Sequence, residues 1–427
     1  MTASTKNLKV LLTDKVIGAV TQRVSGNYRF EYTSEWQRNP RHIPLSRSMP
    51  LQQHRHGTRP ITNFMWGLLP ENERILDEWA NRFHVSARNP FALLAAVGED
   101  CPGAVQLVLP DVELQRRENV KRLTRTELEA RIIALKNDPG AGRLAQDTGQ
   151  FSLAGAQAKT AFCRIKNSWG IPQGRTPTTH ILKPETGRIR HVASNEHFCL
   201  ELARRLGLPA AISTVEVIAD VPVIIVERYD RIRRSQGVLR VHQEDMCQAL
   251  GVNPLRKYQS EGGPTIKHIM ALLLESANPN VDRDRFARAQ ALNFVIAGTD
   301  AHARNYSIVY APGGAFRLAP LYDVISDLPY ASNRRKSSLA MGIDGRRLLG
   351  EIAPRHWEAM AADVGIEPDR MLGHVRDIIA RAPEEAGALL SELREQLSNE
   401  TLDRLVKELT ARCKGLERIY GAEVAGA

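Results

Sequence analysis

Apolar and polar positions alternate early in the chain, in Leu8-Lys-Val-Leu-Leu and again in Val16-Ile-Gly-Ala-Val. A period of two predicts strands with one buried face, and Thr13-Asp14-Lys15 between them predicts a hairpin. Tyr28–Tyr32 alternates aromatic and polar residues in the same way. A Pro- and Arg-rich loop is expected over 39–60, residues 63–68 lead to Pro70, and 74–83 has helical spacing. Cys101-Pro-Gly-Ala-Val-Gln-Leu-Val-Leu-Pro then reads as a turn and a strand. Charged residues over 111–136, carrying Leu128, Ile132, Ile133 and Leu135, predict a linker running into an amphipathic helix. Asp138-Pro-Gly-Ala-Gly ends it, and the main boundary is placed there.

The next stretch reads as a small sheet with one helix. Residues 152–162 open it, and Thr179-His-Ile-Leu-Lys183 alternates like a strand. A helix is expected over 194–208, with Ser194 as N-cap, Glu196 in the first turn, and Gly207 and Pro209 at the stop. Phe198, Leu202 and Leu206 mark its buried face. Residues 214–218 and 221–227 read as a hairpin around Ala219-Asp220. Beyond Arg231 the pattern becomes mostly helical, apart from 306–310 and 316–318, and it ends in a long amphipathic region over 384–420. Strand, strand, helix, hairpin and then helices is the element order of a bilobed kinase fold.

Composition narrows the classes. The chain has 427 residues, enough for two or three packed units. No apolar run approaches a bilayer-spanning length; Val221 to Val226 is far too short. The start, Met-Thr-Ala-Ser-Thr-Lys, reads as leading into a short alternating stretch rather than a signal-peptide core. Five cysteines are scattered without a C-x-x-C pair, which favours reduced thiols in a cytoplasm over a disulfide frame or zinc site. Cys199 and Cys247 read as small core residues on helices. The net charge of +10 suits an acidic partner, but basic runs such as Asn333-Arg334-Arg335-Lys336 are short, and no nucleic-acid-binding signature stands out.

The candidate chemistry lies in Gly298-Thr-Asp-Ala-His-Ala-Arg-Asn305. Asp300 and Asn305 have the five-residue spacing of a kinase base and its metal-binding Asn, and Asp323 follows eighteen residues later as a second magnesium ligand. Phosphoryl transfer needs such a base and such oxygen donors, although D-x-x-x-x-N also arises by chance. His302 either touches the γ-phosphate or is a structural loop histidine. Lys183, in His-Ile-Leu-Lys, stands close to the V-A-I-K form of the kinase lysine, and Glu196, thirteen residues on, is placed to pair with it. Taken singly, they read as an exposed strand lysine and a helix-dipole acid. Glu227 and Tyr229 follow the hairpin strand where backbone groups would meet an adenine edge, and Asp230 could reach a ribose. Phe151-Ser-Leu-Ala-Gly-Ala-Gln-Ala-Lys-Thr-Ala-Phe162 has the small residues of a phosphate-cradling turn, but matches neither a Walker A loop nor G-x-G-x-x-G; composition alone favours an ordinary Gly-Ala turn between strands over a phosphate cradle.

Together these segments resemble the HipA-type serine/threonine toxin kinases of bacterial type II toxin–antitoxin modules. The matches are Ser152-Leu-Ala-Gly-Ala-Gln-Ala-Lys-Thr-Ala, Pro177-Thr-Thr-His-Ile-Leu-Lys183, Asn195-Glu-His-Phe-Cys-Leu, Val226-Glu-Arg-Tyr-Asp-Arg231, Gln243-Glu-Asp-Met-Cys-Gln248, Gly298 to Asn305 and Leu321-Tyr-Asp-Val-Ile-Ser326. The N-terminal region is similar at Pro50-Leu51-Gln52, Leu68-Leu-Pro-Glu71 and Gly103-Ala-Val105. The resemblance implies an α+β, bilobed protein-kinase-like fold with an N-terminal mixed α/β subdomain (1–110), a linker and helix (111–145), a nucleotide-binding N-lobe (146–230) and a mostly helical C-lobe (231–427). It implies ATP and Mg²⁺, a HipB-like DNA-binding antitoxin, and operator DNA reached through that complex. It also implies an aminoacyl-tRNA synthetase as substrate, glutamyl-tRNA synthetase being the best-known case. By carry-over Lys159, Lys183 and His302 contact phosphates, Glu227, Tyr229, Asp230 and Gln243 line the nucleoside site, Tyr322 packs near it, and Ser152 is the autophosphorylated serine.

Two positions depart from the family pattern. The segment after Ser326, equivalent to an activation loop, is shorter and more basic, which bears on the choice of protein substrate. Ala158 stands where an acid is expected. A small-molecule phosphotransferase on the same kind of fold and a catalytically idle corepressor are the alternative readings.

Overall fold

The computed structural model describes residues 5–112, 119–142, 151–187, 189–235, 237–330, 337–397 and 399–421. Two compact units are present. The first comprises Met1–Thr186, Glu216–Leu255 and Ile308–Phe316; the second comprises Gly187–Val215, Arg256–Ser307 and Arg317–Ala427.

The first unit begins with strands β1 (Lys6–Leu12), β2 (Lys15–Gln22), β3 (Tyr28–Tyr32), β4 (Arg55–His56) and β5 (Val105–Val108), paired antiparallel in the order β4-β3-β2-β1-β5. Thr13 and Asp14 turn the first hairpin at φ 49 and 66, the left-handed pair that a tight two-residue turn requires. Helices Thr58–Gly67, Glu73–Phe83 and Pro90–Val97 accompany this sheet, and Phe30, Phe64, Leu93 and Leu94 lie in its core. The expected 39–60 loop is therefore shorter than predicted. Pro90–Val97 was not anticipated because Phe-Ala-Leu-Leu-Ala-Ala-Val is apolar almost throughout and shows no 3.6 period.

A second sheet uses β6 (Asn119–Arg122), β7 (Thr160–Ile165), β8 (Ser168–Gln173), β9 (His180–Pro184), β10 (Ser213–Ile218) and β11 (Val221–Glu227), in the order β10-β11-β9-β7-β8-β6. Ala219 and Asp220 turn β10 into β11 at φ 52 and 59. The helix Arg125–Asn137 opens with a capping box between Thr124 and Glu127 and buries Leu128, Ile132 and Leu135, while Ile133 faces outward. Past Arg231 the chain is less helical than expected. Arg231–Arg234, Gly237–Arg240, Gln243–Asp245, Ser338–Ile343 and Arg346–Leu348 are all strands. These are short and several are rich in arginine, so no apolar alternation announces them.

A buried ionic cluster joins three distant segments of this unit. Asp100 accepts from Arg231 and Arg240 at 2.9 Å each, and from the Thr178 hydroxyl and amide at 2.8 and 3.0 Å. Asp230 accepts from Arg228 at 2.8 and 3.0 Å and from the Gly103 amide at 2.6 Å, and lies 2.9 Å from Arg231. Burial alone would raise the Asp100 carboxyl, but Arg231, Arg240 and Arg228 outweigh it and hold it well below the usual range. Burial pulls the Arg231 guanidinium down to about 10, aided by Arg228.

In the second unit, the helix Pro368–Leu397 packs against Val192–Arg205, Pro279–Val295, Pro354–Val364 and Glu400–Tyr420. The terminal region over 384–420 is thus two helices, divided where Asn399 caps the second by accepting from Leu402 at 3.0 Å. The first runs through Pro383. One lost backbone bond is tolerable in a long helix packed along its length. All five cysteines are buried and none is paired in a disulfide.

Replacing Asp100 by Asn should leave buried guanidinium charge uncompensated and destabilise the first unit by about 3–5 kcal/mol. Urea unfolding followed by circular dichroism measures this, and a change below about 1 kcal/mol would contradict the role given to the cluster.

Candidate active site

The expected functional residues divide between the two units. Ser152, Lys159, Lys183, Glu227, Tyr229, Asp230 and Gln243 belong to the first; Glu196, Asp300, His302, Asn305, Tyr322 and Asp323 belong to the second.

In the first unit, the Gly-Ala turn leads into β7. Gly155 stands at φ +104, a backbone state other residues avoid, and its carbonyl accepts from Glu71 N at 3.2 Å. The Lys159 ammonium folds back to Ala154 O at 2.7 Å, and a Cβ on Gly155 would lie 2.4 Å from that nitrogen. A side chain here would therefore displace the lysine. Ser152 is fully buried: its hydroxyl donates to Leu68 O at 2.6 Å and its amide to Asp100 O at 2.9 Å. Ala158, at the position expected to hold an acid, is buried.

Lys183 pairs with Ile224 in the β9–β11 register and is 6 % exposed, which rules out the exposed-lysine reading. Glu227 ends β11 on the surface. The Tyr229 hydroxyl donates to Gln243 Oε1 at 2.7 Å, so these two expected nucleoside-site residues do meet. Gly103 makes room for them, since a Cβ there would lie 2.7 Å from Gln243 N. Asp230 is different. Its carboxylate is consumed by Arg228, Arg231 and Gly103 and is 4 % exposed, so the expected reach to a ribose is corrected to an interior, structural role.

In the second unit, the helix bearing Glu196 starts at Val192, two residues before the predicted cap. His191, in the left-handed region at φ 58, takes the N-cap position, and Ser194 is buried inside the helix. Glu196 accordingly lies beyond the first turn and is 1 % exposed, so the helix-dipole reading fails as well. Its neighbour Asn195 was given no role by sequence reasoning, yet it is a central tie. Its amide donates to Ser326 O at 2.8 Å and accepts from Ser326 N at 3.0 Å. The Ser326 hydroxyl in turn donates to Ile296 O at 2.6 Å. One buried side chain thus fixes the Glu196 helix, the end of the 321–326 segment and the approach to the 298–305 loop.

That loop is built from polar contacts. Gly298 N donates to Asn293 O at 2.7 Å, and the Asn293 and Gln290 amides donate to the buried Tyr306 hydroxyl at 2.7 and 2.9 Å. His302 N and the Asn305 side-chain amide both donate to the Asp300 carbonyl, at 2.8 and 3.0 Å. The Asn305 amide also points at Asp323 O, 3.5 Å away. The Tyr322 hydroxyl donates to Arg304 O at 2.8 Å and lies 2.6 Å from Ser307 Oγ. Asp323, next in the chain, takes a left-handed φ of 52, a strained state that a non-glycine residue keeps only when its surroundings impose it. The structure therefore brings Asp300, Asn305, Tyr322 and Asp323 together, with His302 buried in the same loop.

The Asn305 nitrogen faces the carbonyls of Asp300 and Asp323, and its side-chain oxygen and the Asp323 carboxylate are the two groups whose chemistry suits a metal ion. Among the described residues no group of three His, Cys, Asp or Glu could hold a metal. One amide and one carboxylate suit Mg²⁺, which keeps waters and takes phosphate oxygens for the rest of its octahedron.

The α+β architecture is protein-kinase-like, and the chain belongs to the HipA family: residues 151–386 match the HipA-like C-terminal domain and 8–108 the HipA N-terminal domain. It is 36 % identical to the protein Y4mE of Sinorhizobium fredii, covering 90 % of this chain and 92 % of that one. It is 28 % identical to the serine/threonine-protein kinase toxin HipA of Shewanella oneidensis, covering 97 % and 96 %. A chain in the solved complex of the Shewanella oneidensis toxin–antitoxin proteins HipA and HipB with operator DNA superposes with a TM-score of 0.84 at 26 % identity, covering 98 % of this chain and all of that one. No helix among the described residues is long and apolar enough to cross a membrane. The basic run at 333–336 lies outside the described residues.

Replacing Asn195 by Ala should strand the buried amide and carbonyl of Ser326, costing about 1–3 kcal/mol for each group left unpaired. Denaturant unfolding of the variant checks this. Wild-type stability would show that the contact is dispensable.

Proposed function

We propose that this chain is an ATP- and Mg²⁺-dependent serine/threonine protein kinase acting as the toxin of a cytoplasmic toxin–antitoxin module. The arrangement of Asp300, Asn305 and Asp323, in a chain of this family, carries the reading. Asp300 orients the acceptor hydroxyl and takes its proton as that oxygen bonds to the γ-phosphorus; the bond to the β–γ bridging oxygen breaks and ADP leaves. Asn305 and Asp323 hold Mg²⁺, which when bound draws charge from the phosphates. Lys183 and Lys159 neutralise phosphate oxygens, Glu196 orients Lys183, and His302 faces the γ-phosphate. Glu227, Tyr229 and Gln243 receive the nucleoside, and Tyr322 packs close by. In this reading 146–230 is the nucleotide lobe and 231–427 the catalytic lobe.

The substrate proposed is an aminoacyl-tRNA synthetase resembling glutamyl-tRNA synthetase, whose phosphorylation would block charging, halt translation and bring on dormancy. Ser152 would be the site of self-inactivation. Its buried hydroxyl has no room for a group of nearly two negative charges, so phosphorylation would force the Gly-Ala turn out of place. A HipB-like antitoxin would neutralise the kinase and, with it, repress the operon through operator DNA; the solved Shewanella oneidensis complex supports this partner class.

Incubation with Mg²⁺ and γ-labelled ATP should place label on Ser152, and Asp300→Asn should lower the rate by about 10²–10⁴. Mass spectrometry locates the phosphate. A fully active Asp300→Asn protein, or no label on protein shown to be unphosphorylated beforehand, would overturn the kinase reading in favour of a corepressor or a small-molecule phosphotransferase.

A further inference from the structure

Asp300 has a partner outside its own loop. The Tyr258 hydroxyl donates to Asp300 Oδ1 at 2.6 Å, across 42 residues of chain. The ring of Tyr258 meets His302 edge to face, with centroids 5.0 Å apart, and the Lys257 ammonium lies 5.2 Å from the centre of that ring. Tyr258 is thus in contact with two residues of the catalytic loop at once.

The backbone beneath Tyr258 is built to hold it there. Its carbonyl accepts from Glu261 N at 3.0 Å and from Gly263 N at 2.9 Å, so the chain folds back beneath it. Gly262 makes that fold at φ +79, which favours glycine. A Cβ on Gly263 would stand 2.1 Å from Arg256 O and 2.7 Å from Tyr258 O, a collision with backbone that no rotamer relieves. On one flank Lys257 O accepts from Ala303 N at 3.3 Å, within the catalytic loop. On the other, Gln259 Oε1 accepts from Gly342 N at 2.8 Å, on the strand Ser338–Ile343.

We infer that Tyr258 is the positioning residue of the base, resting on the kinase reading above: its hydroxyl fixes the Asp300 carboxylate through Oδ1 and leaves Oδ2 to receive the acceptor proton. A carboxylate on two rotatable bonds near the surface would otherwise sample several rotamers, and only some aim a lone pair at the acceptor. A charge-assisted hydrogen bond from a phenol on an immobile backbone removes that freedom. The Gln259–Gly342 link also ties the base's support to the strand that follows the activation-loop-equivalent segment. Tyr258 does not touch the reacting atoms and is not itself a catalytic residue.

Tyr258→Phe keeps the ring against His302 and removes only the hydroxyl. In the full-length protein with Mg²⁺-ATP and casein as acceptor, alongside Ser152 autophosphorylation, kcat should fall about ten- to a hundredfold, as expected for losing one hydrogen bond to a charged group. The KM for ATP should stay within about twofold, because nothing in this contact touches the nucleotide. Gly263→Ala, which displaces the Tyr258 carbonyl, should reproduce the loss in kcat. Unchanged kcat in Tyr258→Phe, or equal changes in kcat and KM, would overturn the assignment. Wild-type protein that transfers no phosphate would sink the kinase reading instead. The contact itself is read without activity by ¹³Cζ-tyrosine NMR: Asp300→Ala should shift the Tyr258 resonance more than any other tyrosine, and an unmoved Tyr258 signal removes the hydrogen bond on which the inference stands.

Discussion

The first unit depends on a buried exchange of charge. Asp100 and Asp230 lie in the interior with Arg228, Arg231 and Arg240 around them, and Arg175 nearby reaches Asp14 at 2.7 Å. Burying any one of these ions alone would cost several kcal/mol. Together they are tolerated because each carboxylate oxygen and most guanidinium edges find a partner, backbone carbonyls of Cys101, Gly103, Arg175 and Thr178 among them. Apolar contacts could hold these segments near each other. A network of directional bonds also fixes their angles, which matters where Gly103 must stand against the Gln243 backbone and Tyr229 must reach the Gln243 side chain.

The second unit solves a similar problem with neutral groups. Asn195 takes both backbone groups of Ser326 from 131 residues away, and Ser326 passes the constraint to Ile296. The Tyr306 hydroxyl gathers the amides of Gln290 and Asn293 at the start of the 298–305 loop, and the Tyr322 hydroxyl ties Arg304 to the segment carrying Asp323. Burial pushes the Tyr306 phenol up, so it stays neutral and serves as a fixed acceptor. Loops of this kind have little apolar surface, and side chains aimed at backbone groups supply the order that packing supplies elsewhere.

What the sequence made legible follows from the range of the interactions. Both hairpins were visible because Thr13-Asp14 and Ala219-Asp220 sit between alternating runs, a signal contained within about fifteen residues. Asp300, Asn305 and Asp323 could be singled out because a motif spacing is read locally along the chain, and the fold brings the three residues together. The start of the Glu196 helix was misplaced because Ser194 has the side chain of a cap, while tertiary packing buried it and left His191 to begin the helix. The interior role of Asp230 was illegible for a related reason. Its partner Gly103 is 127 residues away, and an Asp after Tyr229 looks identical whether it faces a sugar or an arginine.

Tyr258 belongs to this last class. Lys257-Tyr258-Gln259 carries no motif, and Gly262-Gly263-Pro264 announces only a turn. Its meaning arises when that turn is folded against residues 300–303, where a tyrosine becomes a donor to a carboxylate. The residues that perform chemistry are confined to a few types and spacings, whereas those that aim them need only a donor at the right place. Any segment that the fold brings within about 3 Å can supply one. Supporting groups are therefore dispersed through the chain, and they become recognisable only when distances are known.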